Sequence, residues 1–129
     1  MQINRSEIKV ETFNFSTPEK QFEKTTPTIE TNIIELAPVG TDDNEMFKKG
    51  KICRLELSFD IQLEDFKVVG KISRMVQFVD YFEAVNEIDA AIVRELTEAL
   101  LDYVQRMTYD VTEIAFDKPG YKLQFEANN

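Results

Sequence analysis

The sequence predicts an α+β domain: an antiparallel sheet of roughly four strands, followed by a long C-terminal amphipathic helix over about residues 88–116 packed on the sheet. Three observations predict it. Apolar and polar residues alternate strictly from Cys53 to Glu64, and a second alternating run follows a short turn. Beyond Asn86 the apolar period changes from two to about 3.6. At 129 residues the chain suffices for one hydrophobic core, so a single domain over 1–129 is expected.

Near the N-terminus, Ile8 and Val10 share one parity while Phe13 and Phe15 share the other. A slip of one residue is what a bulge or bend produces, so residues 6–15 read as a kinked strand. Pro18 and Pro27 bracket a polar stretch holding Phe22. Ile29, Ile33, Ile34 and Leu36 then predict another strand, ended by Pro38 and Gly40. Residues 41–45 form a polar turn cluster. In the central hairpin, Cys53, Leu55, Leu57, Phe59, Ile61 and Leu63 face one way, Glu64-Asp65 turns the chain, and Phe66, Val68, Gly70 and Ile72 return beside them.

Along the helix, Ile88, Ile92, Leu96, Leu100, Tyr103, Met107, Val111 and Ile114 recur at three- and four-residue steps. Asn86 is the expected N-cap, Glu87 and Asp89 complement the positive end of the dipole, and Pro119-Gly120 is the stop. Thr108-Tyr109 is the weakest point of the predicted helix. Val93 and Val104 widen the stripe beyond a narrow seam. Val93, Leu100, Leu101 and Val104 are therefore the candidate interface of a homo-oligomer, a dimer or tetramer.

Charge and residue types exclude several functions. Against 15 basic residues stand 24 acidic ones, and the resulting charge of −9 repels phosphate backbones and anionic lipid, so no nucleic-acid role is expected. No apolar run is long enough to span a bilayer, and Met1–Glu7 lacks the layout of a secretory signal; no membrane insertion and a cytoplasmic location are expected. A single cysteine makes no intrachain disulfide.

The absence of histidine removes the commonest general base and metal ligand. Cys53 lies on the apolar parity of a strand and reads as an inert core thiol. Gly50-Lys51 and Gly70-Lys71 resemble the tail of a phosphate loop, but its earlier glycine would fall at Glu45 or Asp65, and Ile52 or Ile72 replaces the hydroxyl residue. A calcium loop starting at Asp42 would need its glycine at Phe47 and its terminal carboxylate at Cys53. Glu56, Asp60, Glu64 and Asp65 fall mostly on the wet face of the hairpin, and Arg94, Glu95, Glu98 and Asp102 on that of the helix. No catalytic residue, metal site or cofactor is expected, and the chain does not read as an enzyme.

What remains is surface. Ten Phe and four Tyr exceed what the strand parities place. Phe22, Phe78, Tyr81 and Phe82 fall in or beside predicted loops, and with Phe13 and Phe15 they are the candidate polypeptide contacts. The competing reading folds the loop aromatics back as a lid on the core.

The run from Leu101 to Gly120, closing with Leu123-Gln124-Phe125, resembles the C-terminal signature of a small uncharacterised family from Gram-positive bacteria. Leu55–Leu63 and Phe66–Ser73 resemble the same family, and the likeness extends from residue 52 onward. That family resembles in fold the export chaperone SecB, a sheet followed by a long helix that assembles as a dimer of dimers. Arg106, Thr108 and Tyr109, followed by Pro119, Tyr121 and Phe125, are similar to SecB's Arg-x-Thr-aromatic segment with its later proline and spaced aromatics. SecB continues into another helix and a metal-binding tail that engages the export motor. This sequence ends at Asn129 with neither, so the resemblance does not extend to coupling with that motor. The resemblance implies a SecB-like, nucleotide-independent chaperone or holdase for non-native polypeptide. The alternative is a non-catalytic interaction or regulatory module on the same fold with one specific polypeptide partner.

Overall fold

The computed structural model describes residues 1–38 and 44–125. Its frame is the hairpin of β4 (Gly50–Gln62) and β5 (Lys67–Val79), antiparallel in unbroken register from Gly50 opposite Val79 to Gln62 opposite Lys67. Leu63 N–H donates to Phe66 O at 2.9 Å across the turn read at Glu64-Asp65. Because side chains alternate across a strand, the register puts Cys53, Leu55, Leu57, Phe59 and Ile61 beside Val76, Ile72 and Val68 on one face, all buried.

β3 (Thr28–Glu35) pairs antiparallel with the outer edge of β4. On the other side β5 receives both β1 (Ile3–Arg5) and β2 (Lys9–Ser16). The sheet has five strands where roughly four were expected: the strand expected over residues 6–15 begins only at Lys9, and Ile3–Arg5, ahead of it, forms a further short strand on β5, with Ser6–Ile8 between them in neither. Ser6 bridges the gap: its N–H donates to Met75 O at 2.9 Å and its hydroxyl accepts from Met75 N–H at 2.8 Å. The parity slip is real and sits between Val10 and Thr12, where Glu11 is the extra residue.

Glu11 is held on the face away from the core. Arg54 donates to its carboxylate and places Nε 2.8 Å from Glu56 Oε1, while Lys71 Nζ lies 3.2 Å from Glu56 and 3.8 Å from Glu11. On the same face the short α1 (Asn44–Phe47) is tied down by Gln77, whose Nε2 donates to Met46 O at 2.7 Å. Residues 41–43 of the expected polar turn, and Gly40 before them, lie outside the described residues.

α2 (Ala90–Phe116) covers the apolar face. Its N-cap is Asp89, whose carboxylate accepts from Ala91 N–H at 2.9 Å; Asn86, the expected cap, sits instead in a 3-10 turn over Val85–Glu87. The chain meets that turn in extended backbone at Ile88, so the helix cannot begin before it. The buried stripe also differs from the expected one. Leu96, Leu100, Val104, Thr108 and Thr112 face the sheet at strict four-residue steps, while Tyr103, Met107 and Val111 are half-buried and Ile114 is 81% exposed. Each four-residue step turns the contact by about 40° around a helix of 3.6 residues per turn, so the buried face winds along the helix instead of following a straight line.

The helix also runs past Thr108 without breaking. Thr112 stabilises its far end: the hydroxyl donates to Thr108 O at 2.7 Å and accepts from Tyr121 N–H at 2.8 Å, which folds the following segment back along the helix. Asp117 adopts the left-handed conformation at φ 51° and ends it. Phe15, Phe66, Phe116 and Tyr121 then close this end of the core, with ring centroids 5.5–6.3 Å apart.

Gly70 is a tight point in the middle of the sheet. A Cβ there would lie 2.7 Å from the Phe59 ring and 2.4 Å from Thr12 O. Gly70→Ala should lower the unfolding free energy by about 1–3 kcal/mol, measured by urea titration. Thr112→Val, which leaves Tyr121 N–H without its acceptor, should cost about 1–3 kcal/mol in the same assay.

Candidate functional site

Where α2 stops covering the sheet, a groove opens. β3 turns Thr31 and Ile33 towards the helix side, opposite Leu57 and Leu55, yet both remain only half-buried. Across from them the chain leaves β5 through Asp80, in left-handed backbone at φ 59°, and Tyr81, whose hydroxyl donates to Ala84 O at 2.7 Å. The 3-10 turn and the buried Ile88 then bring Val85 and Val93 to the far wall. The result is an open furrow of about 550 Å³ with aliphatic walls of Ile33, Val85, Ile88 and Val93. Glu35 lines the same furrow and accepts a charge-assisted bond from Lys51, which raises the Lys51 pKa above its ordinary value.

The furrow runs beside an edge. Among the described residues β3 pairs with β4 alone, leaving its outer edge free. An apolar furrow alongside a free strand edge can take an extended polypeptide, main chain on the strand and alternate side chains in the furrow.

The six aromatic candidates do not converge there. Phe78 is 0% exposed and belongs to the core, because β5 continues through it to Val79 instead of giving way to a loop. Phe13 packs on Phe59 at 6.1 Å and Phe15 on Phe66 and Phe116 at 6.0 Å, both half-buried on the core side. Phe22 is half-buried, its N–H bonded to Glu64 O at 2.9 Å beside the hairpin turn. Tyr81 packs edge-on against Phe78 at 6.2 Å. Phe82 alone is well exposed, at 56%, two residues before the groove residue Ala84.

Of the four interface candidates, Leu100 and Val104 are 0% exposed within this chain and have no surface to offer a second subunit. Leu101 is half-buried against the core, and Val93 lines the groove. The groove itself was missed because nothing in the spacing of Ile29, Ile33 and Ile34 marks β3 as an edge strand. The signal within reach was Thr31 on the apolar parity, a polar residue where a central strand carries aliphatics.

Residues 1–125 match the family described as a protein of unknown function, DUF1149. The chain belongs to that family. This DUF1149 chain is similar to a protein of unknown function from Streptococcus agalactiae at 23% identity, over 97% of this chain and 98% of that one, with a TM-score of 0.77. It is also similar to the SecB-like chaperone Rv1957 of Mycobacterium tuberculosis, solved in complex with a ChAD peptide from the Rv1956 HigA1 antitoxin. That likeness spans 97% of this chain and 88% of that one, at 15% identity and a TM-score of 0.56. The fold is SecB-like. No curated protein matches the sequence. Among the described residues, no helix is long and apolar enough to cross a membrane.

Cys53 lies under the same sheet face. Burial is the main cause that pushes its thiol from the ordinary 9.0 up to about 11, with the Glu35 carboxylate adding to it. At pH 8 only about one thiol in a thousand is ionised at that value, so the folded protein should resist a thiol reagent that labels the urea-unfolded chain rapidly. Because the unfolded thiol releases its proton first, this group's contribution to stability is lost as pH rises from about 9 to about 11, read as a falling urea midpoint.

Proposed function

We propose that this protein binds extended segments of other polypeptides in the groove between β3 and the start of α2, as a nucleotide-independent holdase that needs no chemistry of its own. The observation that carries the proposal is the free β3 edge beside the aliphatic walls of Ile33, Val85, Ile88 and Val93. Main-chain pairing is indifferent to sequence and suits a client that is not yet folded, while burial in the furrow adds about 25 cal/mol per Å² of apolar surface covered. The exposed ring of Phe82 extends the apolar surface at the loop side. A surplus of acidic residues, −9 in all, keeps a complex with apolar cargo from associating further. The SecB-like fold supports the reading, as does the peptide bound to the mycobacterial chaperone that shares it.

A specific interaction module on the same fold is the second reading. Met46 and Ile114, two of the other exposed apolar side chains, lie on elements apart from the groove, and Ile34 projects from the opposite face of β3, which favours one fitted segment over many clients.

In the holdase reading, a stoichiometric excess slows aggregation of several unrelated denatured proteins; in the other, a single dominant partner is captured and unfolded chains are ignored. Both readings predict that Ile33→Glu and Val93→Glu weaken polypeptide binding by about tenfold or more, a loss of about 1.4 kcal/mol, while the circular dichroism spectrum stays unchanged. Wild-type binding by both variants would refute the groove.

A further inference from the structure

The furrow lies at one end of the β3 side of α2, and the other end of that side is filled by the chain itself. Val93 stands three residues before the buried Leu96, Gln105 one after the buried Val104 and Tyr109 one after the buried Thr108, which puts all three on one flank of the winding stripe. Glu95, one residue before Leu96, is on the other flank, where it meets Arg5 of β1 at 3.0 Å. Val93 lines the furrow with Thr31 and Ile33 of β3. The flank that carries Val93, Gln105 and Tyr109 is therefore the β3 side.

Beyond the helix the chain turns back along this flank. Gly120 packs so closely on Tyr109 that a Cβ would lie 2.2 Å from its carbonyl oxygen. Tyr121 N–H donates to the Thr112 hydroxyl at 2.8 Å, and Gln105 Nε2 donates to Leu123 O at 3.0 Å. Passing from Thr112 to Gln105, the segment runs towards the start of α2 and the open furrow. Its burial alternates: Tyr121 meets Phe66 edge-on at 5.5 Å, Leu123 is buried and Phe125 packs against the core, while Lys122 and Gln124 are exposed. The backbone there belongs to no strand, and among the described residues the bonds from Thr112 and Gln105 are all that its main chain makes.

We propose that Tyr121–Phe125 is a built-in strap on the client site, which an incoming polypeptide displaces in order to extend beyond the furrow. This rests on the groove reading and adds to it the pattern of the client and the control of access. A client resembles the strap: an extended segment with apolar side chains at every second position and polar ones between. It gains main-chain bonds to the free edge of β3 that the strap does not make. A segment held by so few backbone bonds opens locally without global unfolding, and the apparent affinity for a client falls with the fraction of molecules in which the strap is open.

The test follows amide NMR signals of the full chain during titration with reduced, carboxymethylated α-lactalbumin, a polypeptide that stays unfolded. In the wild type the probe should shift the Thr31 and Ile33 amides and release residues 121–125, seen as a fall in their heteronuclear NOE. Leu123→Ser should tighten binding by about threefold to tenfold, and so should the milder Gln105→Ala, which removes one bond to the strap and no core side chain. Furrow shifts that appear only in these variants also support the strap, since it then closes the wild-type site. Furrow shifts with residues 121–125 still docked, and both variants binding as the wild type does, would overturn the strap and leave the groove standing. No furrow shift in the wild type or in either variant would sink the groove and the strap together.

Discussion

The thirteen-residue pairing of β4 with β5 is the constraint on which everything else in this protein depends. It fixes which side chains face the core, since one residue of slip would move every one of them to the other face. Each aliphatic or aromatic side chain it buries is worth about 1.5–3 kcal/mol, and Leu55, Leu57, Phe59, Ile61, Val68 and Ile72 are buried by this one register. It also offers an edge on each side, one to β3 and one to the broken β1–β2 pair. Gly70 marks how closely the parts fit, with the Phe59 ring occupying the space a side chain there would take.

One helix cannot cover a sheet this wide. α2 buries a winding stripe from Leu96 to Thr112 against the centre of the sheet and leaves β3 half-open. The groove is therefore a direct consequence of how the helix is laid, not a separately built pocket. Glu30 and Asn32 project from the opposite face of β3, and such polar groups limit uncontrolled edge pairing while Thr31 and Ile33 keep the furrow side receptive.

On the bare face of the sheet, Glu11, Arg54, Glu56 and Lys71 form a partly exposed network. Pairs so accessible to water add little net stability. Their consequence is geometric: they hold the bulged residue outward, so that β2 can resume pairing with Phe13 and Phe15 on the core side. The strand break just before it is bridged by Ser6, whose hydroxyl accepts from Met75 N–H.

The sequence by itself determined the order of elements, the hairpin with its Glu64-Asp65 turn, the slip in the N-terminal strand and a helix ending at Phe116, because these follow from local periodicity and turn chemistry. Only the tertiary structure decided which strand became an edge, which helix residues face the sheet, and whether an aromatic is core or surface. Leu100 and Val104 look like surplus apolar surface on a straight helix, but a contact line that winds by about 40° per step draws Val104, Thr108 and Thr112 inward and turns Ile114 out. Phe78 looks like a loop residue until β5 is seen to run on through it. Burial of this kind depends on the relative placement of elements distant in sequence, and no local pattern of residues contains it.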